Sequence, residues 1–452
     1  MRRPREQSTP KMSFKTHKLN IASVEIQTAL RNVSKSFSHF SLLETGSSLI
    51  ESPEVLDRYD FLCAGGSVKN FTYPIANSKA WDNLKFHWRL FPSWWFGILS
   101  YDVKNALEKS ISSRHPSNLN FPEIIFFEPQ WVVVSKKGSI QLHIHDSLNY
   151  DSEDWWENIL RRGEVTKGFD QGTKLFESWG ENDYLERAEK IKEWINIGDI
   201  YEANLCFPFK GKGDIDRMEV YKRLYSKAKA SMAGYFQTPT ATLISASPER
   251  YLCIRKEGNE SLIYSQPIKG TSPRGENHAE DIRHGNDLRN SKKERSENTM
   301  IVDIVRNDIS RVAKERSVKV DRYLELRKLP TVFHLVSTVH GVLKDNLDWL
   351  NTIEATFPMG SMTGAPKIRA MERIDSQEPE RRGWYSGALG YVAPNGECDF
   401  NVIIRSLMYE SKNDRWISWA GSALTIDADP EKEWEEINLK MNAPKHILNF
   451  NK

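Results

Sequence analysis

The chemistry in this chain is concentrated in a few side chains whose types are unusual for where they stand. Lys269, in Pro267-Ile268-Lys269-Gly270-Thr271, follows the apolar strand-like run Leu262-Ile263-Tyr264. Proline interrupts the strand pattern, and Gly270, Thr271, Ser272-Pro273 and Gly275 read as a loop. A lysine at a strand end is costly to bury. Where it is buried it tends to shed its proton and become a nucleophile or base. A lysine whose stem lines the strand edge while its head reaches solvent is the other reading of the same segment.

Two carboxylate pairs come next. Glu294 and Glu297 precede Ile301, Ile304 and Val305, whose spacing is helical, and Glu433 and Glu436 follow Asp429-Pro430 in a second helical segment. Residues three apart share a helix face, so each segment presents two carboxylates in one direction. Facing each other, the four would suit a hard cation such as Mg²⁺. Apart, they are two solvated acidic faces. A di-iron centre is excluded by the absence of a helical Glu-x-x-His partner.

Gly360-Ser361-Met362-Thr363-Gly364-Ala365-Pro366-Lys367 superficially resembles a phosphate-binding loop, but the glycine spacing is wrong and proline stands at the second glycine. The helix expected after it could still hold an anion at its N-terminus, or the segment is an ordinary loop. Glu249 lies between two strand candidates and suits a general acid or a plain turn. Arg405 follows Val402-Ile403-Ile404 and is expected to end a buried strand, where it would grip a carboxylate or make a structural ion pair. Tyr385 and the small-residue run Ala420-Gly421-Ser422-Ala423 are further binding candidates. His334, in an apolar run, is either a satisfied core histidine or a catalytic one.

The surrounding chain must position these groups. Its 452 residues are 39% hydrophobic and 27% charged with a net charge of +2, which gives no reason to expect nucleic acid or an acidic membrane surface. Cys63, Cys206, Cys253 and Cys398 are far apart and form no C-x-x-C pair, as in a reduced, cytoplasmic protein. No apolar run reaches membrane-spanning length. Residues 1–20 carry Arg2, Arg3, Arg5, Lys11, Lys15 and Lys18 against Glu6, and read as a disordered basic extension; a true start at Met12 or an organellar leader are alternatives.

Strand runs at 123–127, 131–134, 242–245 and 251–254 are expected. So are a polar linker near 165–175 and a helix through Tyr184, Ala188, Ile191 and Ile195, with Asp183 and Glu186 as a capping box. Residues 21–165 form an N-terminal region and 175–450 the main one. Strands interspersed with helices, without strict βαβ alternation, predict an α+β fold with large, mostly antiparallel sheets.

In their order along the chain these motifs resemble the chorismate-utilising enzymes, from about Tyr184 to the C-terminus. The matching segments are Gly198-Asp199-Ile200-Tyr201, Ser247-Pro248-Glu249-Arg250, the Lys269 segment, Ile301-Val302-Asp303, Arg306-Asn307-Asp308, Phe333 through Ser337, Gly360 through Lys367, and Asp399 through Arg405. Leu42-Leu43-Glu44 and Phe96 to Asp102 resemble the family's N-terminal motifs.

The resemblance implies a two-layer antiparallel β-sandwich flanked by helices, with the N-terminal region woven into the same fold. It implies Mg²⁺ on Glu297 and Glu436, supported by Glu294 and Glu433. It implies chorismate held by Gly270, Thr271, Tyr385, Arg405, Gly421 and Ala423, and catalysis by Lys269, Glu249 and His334. Position 269 separates branches of the family: anthranilate synthases carry alanine there and aminodeoxychorismate synthases lysine. The implied mechanism has neutral Lys269 attacking C2 of chorismate, Glu249 protonating the departing C4 hydroxyl, and ammonia then displacing the lysine by attack at C4. A separate glutamine amidotransferase subunit would supply the ammonia. An anthranilate synthase large subunit and a non-catalytic chorismate-binding paralogue are the alternatives. The chain departs from the family's pattern at Glu202, where amidating relatives have glutamine and isochorismate-forming ones lysine.

Overall fold

The computed structural model describes residues 14–46, 56, 59–111, 113, 115–116, 119, 121–149, 151–163, 174–178 and 180–448. Their strands form two large antiparallel sheets. The first runs from Phe14–Leu19 through Ser139–His145, Trp131–Lys136, Phe61–Gly65 and Phe40–Glu44 to Met232–Gln237, Ala241–Ser247, Ser406–Glu410, Arg415–Leu424, Glu202–Lys212 and the short Gly364–Ala365. The second runs from Ile268–Pro273 through Val332–Val342, Glu260–Gln266, Arg250–Glu257, Cys398–Asn401 and Ala388–Val392 to Trp95–Leu99, Ile124–Glu128 and Lys69–Tyr73. Strands from before residue 150 thus extend both sheets built by the rest of the chain.

Strand chemistry follows position. The peripheral strand Ser139–His145 alternates buried and more exposed residues, as a sheet with one wet face requires. Phe61–Gly65, Trp95–Leu99 and Ile124–Glu128 are buried throughout. Between the sheets, Phe236, Leu243 and Trp419 of one meet Phe96, Leu252 and Phe400 of the other in a common core. Helices Ser23–Val33, Ser152–Arg162 and Arg217–Ala228 cover the outer face of the first sheet at its N-terminal end. Helices Glu181–Asn196, Lys367–Gln377 and Pro430–Ile447 cover its other end. Helix Lys292–Val312 packs on Val332–Val342 and Ile268–Pro273 of the second sheet. The α+β sandwich expected from the sequence is the observed architecture.

Four local expectations need correction. Residues 14–19, assigned to a disordered tail, form an edge strand paired from Phe14–His145 to Leu19–Ile140, while residues 1–13 lie outside the described set. Asp183 is the third residue of its helix and accepts from the backbone N–H of Gly180, so glycine rather than Asp183 caps it. Residues 402–404 lie between two strands and form none, and Arg405 has φ +53°. The Lys269 segment is itself a strand, not a loop. Most of the expected linker, 164–173, is outside the described residues. The four cysteines are free and buried.

Candidate active site

Lys269 owes its placement to a defect in its strand. Ile268 pairs with Val336 and Thr271 with His334, so Lys269 and Gly270 together oppose the single residue Leu335. This is a β-bulge, which bends the strand and redirects a side chain. Gly270 has φ +93°, and a Cβ there would lie 3.1 Å from Glu294 Oε2 and 3.3 Å from Leu288 and Leu335, so glycine is required twice over. Behind the bulge, Asn298 Nδ2 donates to the carbonyls of Lys269 (3.4 Å) and Leu335 (3.2 Å). Ser337 Oγ donates to Asn298 Oδ1 at 2.6 Å and accepts from Leu324 N–H.

The redirected side chain donates from Nζ to Glu202 Oε1 at 2.9 Å. Glu202 opens its strand and is fixed from two directions. It pairs with Ala365, and the preceding Asp199 is held by Arg369 Nε (2.8 Å) and Arg373 Nε (2.6 Å) from the adjacent helix. Burial alone would push the Lys269 ammonium toward its neutral form. The charges of Glu202, Glu297 and Glu436 outweigh that and hold its proton well above the ordinary lysine range. Without a metal, Lys269 stands here as a part-buried ammonium paired with Glu202, and the neutral amine implied by the resemblance is the form that would attack.

Glu249 follows Ser247 at the junction of two strands, as expected, and is buried. Burial raises its carboxyl to about 7, offset in part by the Ser361 hydroxyl, the Lys269 charge and the N–H of Ile268. It can therefore hold a proton near neutrality and give it up, which is what a general acid must do. His334 pairs with Thr271 across the strands, and its Nδ1 lies 3.0 Å from Thr271 Oγ1. Burial and the Arg405 charge depress it to about 4, so it is a neutral imidazole at physiological pH.

The Arg405 guanidinium is half-buried and forms no hydrogen bond or ion pair within the described residues. Its electrostatic neighbours are Glu436 and Tyr385. Tyr385 stacks on Trp419 with ring centroids 5.8 Å apart and faces Cys206. Gly421 lies opposite Cys206, where a Cβ would come within 2.3 Å of the sulfur; its carbonyl accepts from Lys440 Nζ. Ala423 lies opposite Asn204 on the same strand pair.

The two acidic helices do meet. Lys293 Nζ, beside Glu294, sits 2.7 Å from Glu433 Oε1 and 3.9 Å from Glu297 Oε1, and so joins helix Lys292–Val312 to helix Pro430–Ile447. Glu433 also accepts from the Ser422 hydroxyl, and Glu436 pairs with Lys440 at 2.6 Å. Burial raises Glu297 to about 7, with Glu202 and Glu294 adding repulsion, and raises Glu294 as well. Glu297 Oε1 is buried with no hydrogen-bond partner. In this arrangement no three acidic, histidine or cysteine side chains within the described residues are close enough to hold a metal ion. The donor set, with the unpartnered Glu297 Oε1, nevertheless suits a hard cation.

In the Gly360–Lys367 segment the lysine head is not free for an anion. Lys367 Nζ is spent on Asp308 and on the carbonyls of Thr356 and Pro358. Residues the sequence reading passed over include Asn298, Ser337, Ser361, Lys293 and Lys440. Lys293 did carry a signal, four residues before Glu297 on a helix. Asn298 and Ser337 carried none, since their role is visible only once the bulge exists.

Against this geometry the comparisons with known proteins are consistent. Residues 58–446 match the family model described as chorismate binding enzyme. The aminodeoxychorismate synthase component 1 of Bacillus subtilis is 31% identical over 364 residues, covering 78% of this chain and 76% of that one. The anthranilate synthase component 1 of Aquifex aeolicus is 30% identical over 435 residues, covering 90% and 85%. The solved anthranilate synthase component I of Streptococcus pneumoniae superposes with a TM-score of 0.73 at 24% identity, covering 89% and 95%, a likeness of fold. The matched residues include every group that lines the cleft, and the chain belongs to the chorismate-binding enzymes.

Proposed function

We propose that this chorismate-utilising enzyme is the synthase component of an aminodeoxychorismate synthase, converting chorismate and ammonia to 4-amino-4-deoxychorismate for para-aminobenzoate and folate synthesis. Relatives named for C4 amination and for anthranilate formation match at similar identity, so similarity does not choose between them. The observation that carries the reading is Lys269, set on a bulge inside the cleft close enough to Glu249 for its charge to steady that carboxyl. A nucleophile paired with an acid poised near neutrality is what a double displacement at C4 needs.

Lys269 as the free amine attacks C2, the ring double bonds shift, and the C4–O bond breaks as Glu249 delivers a proton, releasing water. Ammonia then attacks C4, the double bonds return, and the C2–N bond breaks to free Lys269. Arg405 binds a substrate carboxylate, with Tyr385, Thr271, Gly270 and the Gly421–Ala423 strand shaping the pocket. His334, neutral and bonded to Thr271, orients that hydroxyl. A magnesium ion on Glu297 and Glu436, backed by Glu294 and Glu433, would supply positive charge for the second substrate carboxylate. The name "component 1" of the relatives supports a separate partner, which we assign as a glutaminase subunit delivering ammonia. No helix among the described residues is long and apolar enough to cross a membrane.

The test is the purified chain with chorismate, Mg²⁺ and an ammonium salt, products separated and identified by mass. The expected product is 4-amino-4-deoxychorismate, lost on chelation with EDTA. Anthranilate with released pyruvate would replace this reading with the anthranilate synthase one.

A further inference from the structure

Lys269 Nζ donates to the Glu202 carboxylate at 2.9 Å, and an ammonium so paired has no lone pair, so a neighbouring group must take its proton before it can attack. We propose that Glu202 is that catalytic base, accepting the Nζ proton directly across the hydrogen bond that joins the two side chains. The inference rests on Lys269 being the nucleophile.

Contact singles Glu202 out. Within the described residues it is the one side chain that accepts from Lys269 Nζ, at 2.9 Å. The other carboxylates whose charge reaches Lys269 come from different elements. Glu294 and Glu297 are on helix Lys292–Val312, Glu436 is on helix Pro430–Ile447, and Glu249 follows the strand Ala241–Ser247. None of them is hydrogen-bonded to Nζ. Glu436 is engaged by Lys440, and Glu249 is needed in its protonated form at C4.

Glu202 differs from Glu378 and Asp399 in its hydrogen bonding, although Asp308, the partner of Lys367, also has one oxygen without a partner. Glu378 accepts from Arg382 and from the N–H of Cys206, and Asp399 binds both Arg250 and Arg255. Glu202 is 1% exposed, yet its Oε2 has no partner. An open oxygen beside the reacting amine leaves room for the acquired proton or for a hydrogen bond from the incoming nucleophile. Pairing with Ala365 and the Asp199 clamp hold the carboxylate in place as Lys269 moves to carbon.

The proton balance closes. Lys269 ammonium and Glu202 carboxylate become amine and carboxylic acid. The amine forms the C2–N bond while Glu249 gives its proton to the departing hydroxyl. When ammonia forms the C4–N bond, the C2–N bond breaks, Lys269 leaves as the amine, and Glu202 returns the proton. Glu249 is recharged from solvent. Because one proton is shared within the pair, the reactive fraction of Lys269 does not depend on bulk pH.

That independence is the test. The full-length protein is mixed with chorismate without ammonia, quenched at timed intervals, and the Lys269 peptide is followed by mass as it gains chorismate less one water. Between pH 5 and 6, where Glu249 stays largely protonated, the wild-type rate should be flat. In Glu202→Gln the proton must leave to solvent, so the rate should climb about tenfold per pH unit and lie well below wild type at pH 5.5. Glu202→Asp should restore a flat, slower profile. A Glu202→Gln profile that matches or exceeds wild type overturns the inference. So does a wild-type rate that climbs tenfold per unit, which needs no variant to fold. If no protein forms an adduct while equilibrium dialysis shows chorismate bound, Lys269 is not the nucleophile, and both readings fall.

Discussion

Two part-buried lysines in this molecule, each paired with a buried carboxylate, have opposite fates. Lys367 binds Asp308 and two backbone carbonyls, so all three of its N–H donors are engaged. Burial pushes its ammonium down and the Asp308 carboxyl up, and Asp308 only partly offsets the effect on the lysine. That pair ties the start of one helix to the middle of another. Lys269 has a single acceptor, and further carboxylate charges surround it. Its proton is held by electrostatics rather than by a filled hydrogen-bond shell. A satisfied lysine is a fastener, whereas an unsatisfied one among carboxylates is available for chemistry.

The contrast breaks most sharply on substitution. Lys269→Ala should lower C4 amination by on the order of 10³-fold or more, the scale of losing a nucleophile, measured on protein shown to be folded. Lys269→Arg should fail as badly, because a guanidinium keeps its proton. Retained amination in either variant would place Lys269 with Lys367.

Glu249→Gln should cost roughly 10²- to 10⁴-fold in turnover, the usual range for a positioned acid. The acid must be protonated, and its carboxyl sits at about 7. Wild-type adduct formation should therefore fall as pH rises through that value, and the variant should lose this alkaline limb. A rate–pH profile of both proteins decides it.

Lys367→Ala should act on stability instead. It leaves Asp308 buried and unpaired, a loss of about 3–5 kcal/mol, read from urea unfolding. The double variant Lys367→Met with Asp308→Leu should recover much of that loss, because neither charge then remains. Unchanged stability in the single variant would mean the pair is no fastener.

The smallest expected effect is at Arg405. Replacing it with lysine removes the forked donor but keeps the charge, and should raise the KM for chorismate about tenfold with a smaller change in kcat. An unchanged KM would mean that the unpaired guanidinium does not bind substrate.

The sandwich was legible because strand runs such as 124–128 and 131–136 are long, apolar and bounded by turn residues. Helix spacing placed both carboxylate pairs on helices, although only the model shows that Lys293 joins them. The lysine's position was legible but its charge was not, since that depends on Glu202, 67 residues away in sequence and on the other sheet. The role of Lys367 was not legible, because its partner Asp308 lies 59 residues upstream. Arg405 was read as a strand end because Val402-Ile403-Ile404 is apolar, yet those residues fill the core between strands. The lysine errors concerned long-range partners, whereas the one at Arg405 was a local strand assignment.

The central claim is that Lys269, and not Lys367, is the reactive lysine. Incubating the wild-type protein with chorismate in the absence of ammonia, followed by proteolysis and mass spectrometry, tests it directly. The account predicts a mass gain of chorismate less one water on the Lys269 peptide, discharged when ammonium is added, with the Lys367 peptide unmodified. An unmodified Lys269 peptide under conditions in which the enzyme turns over, or an adduct confined to another lysine, would contradict it.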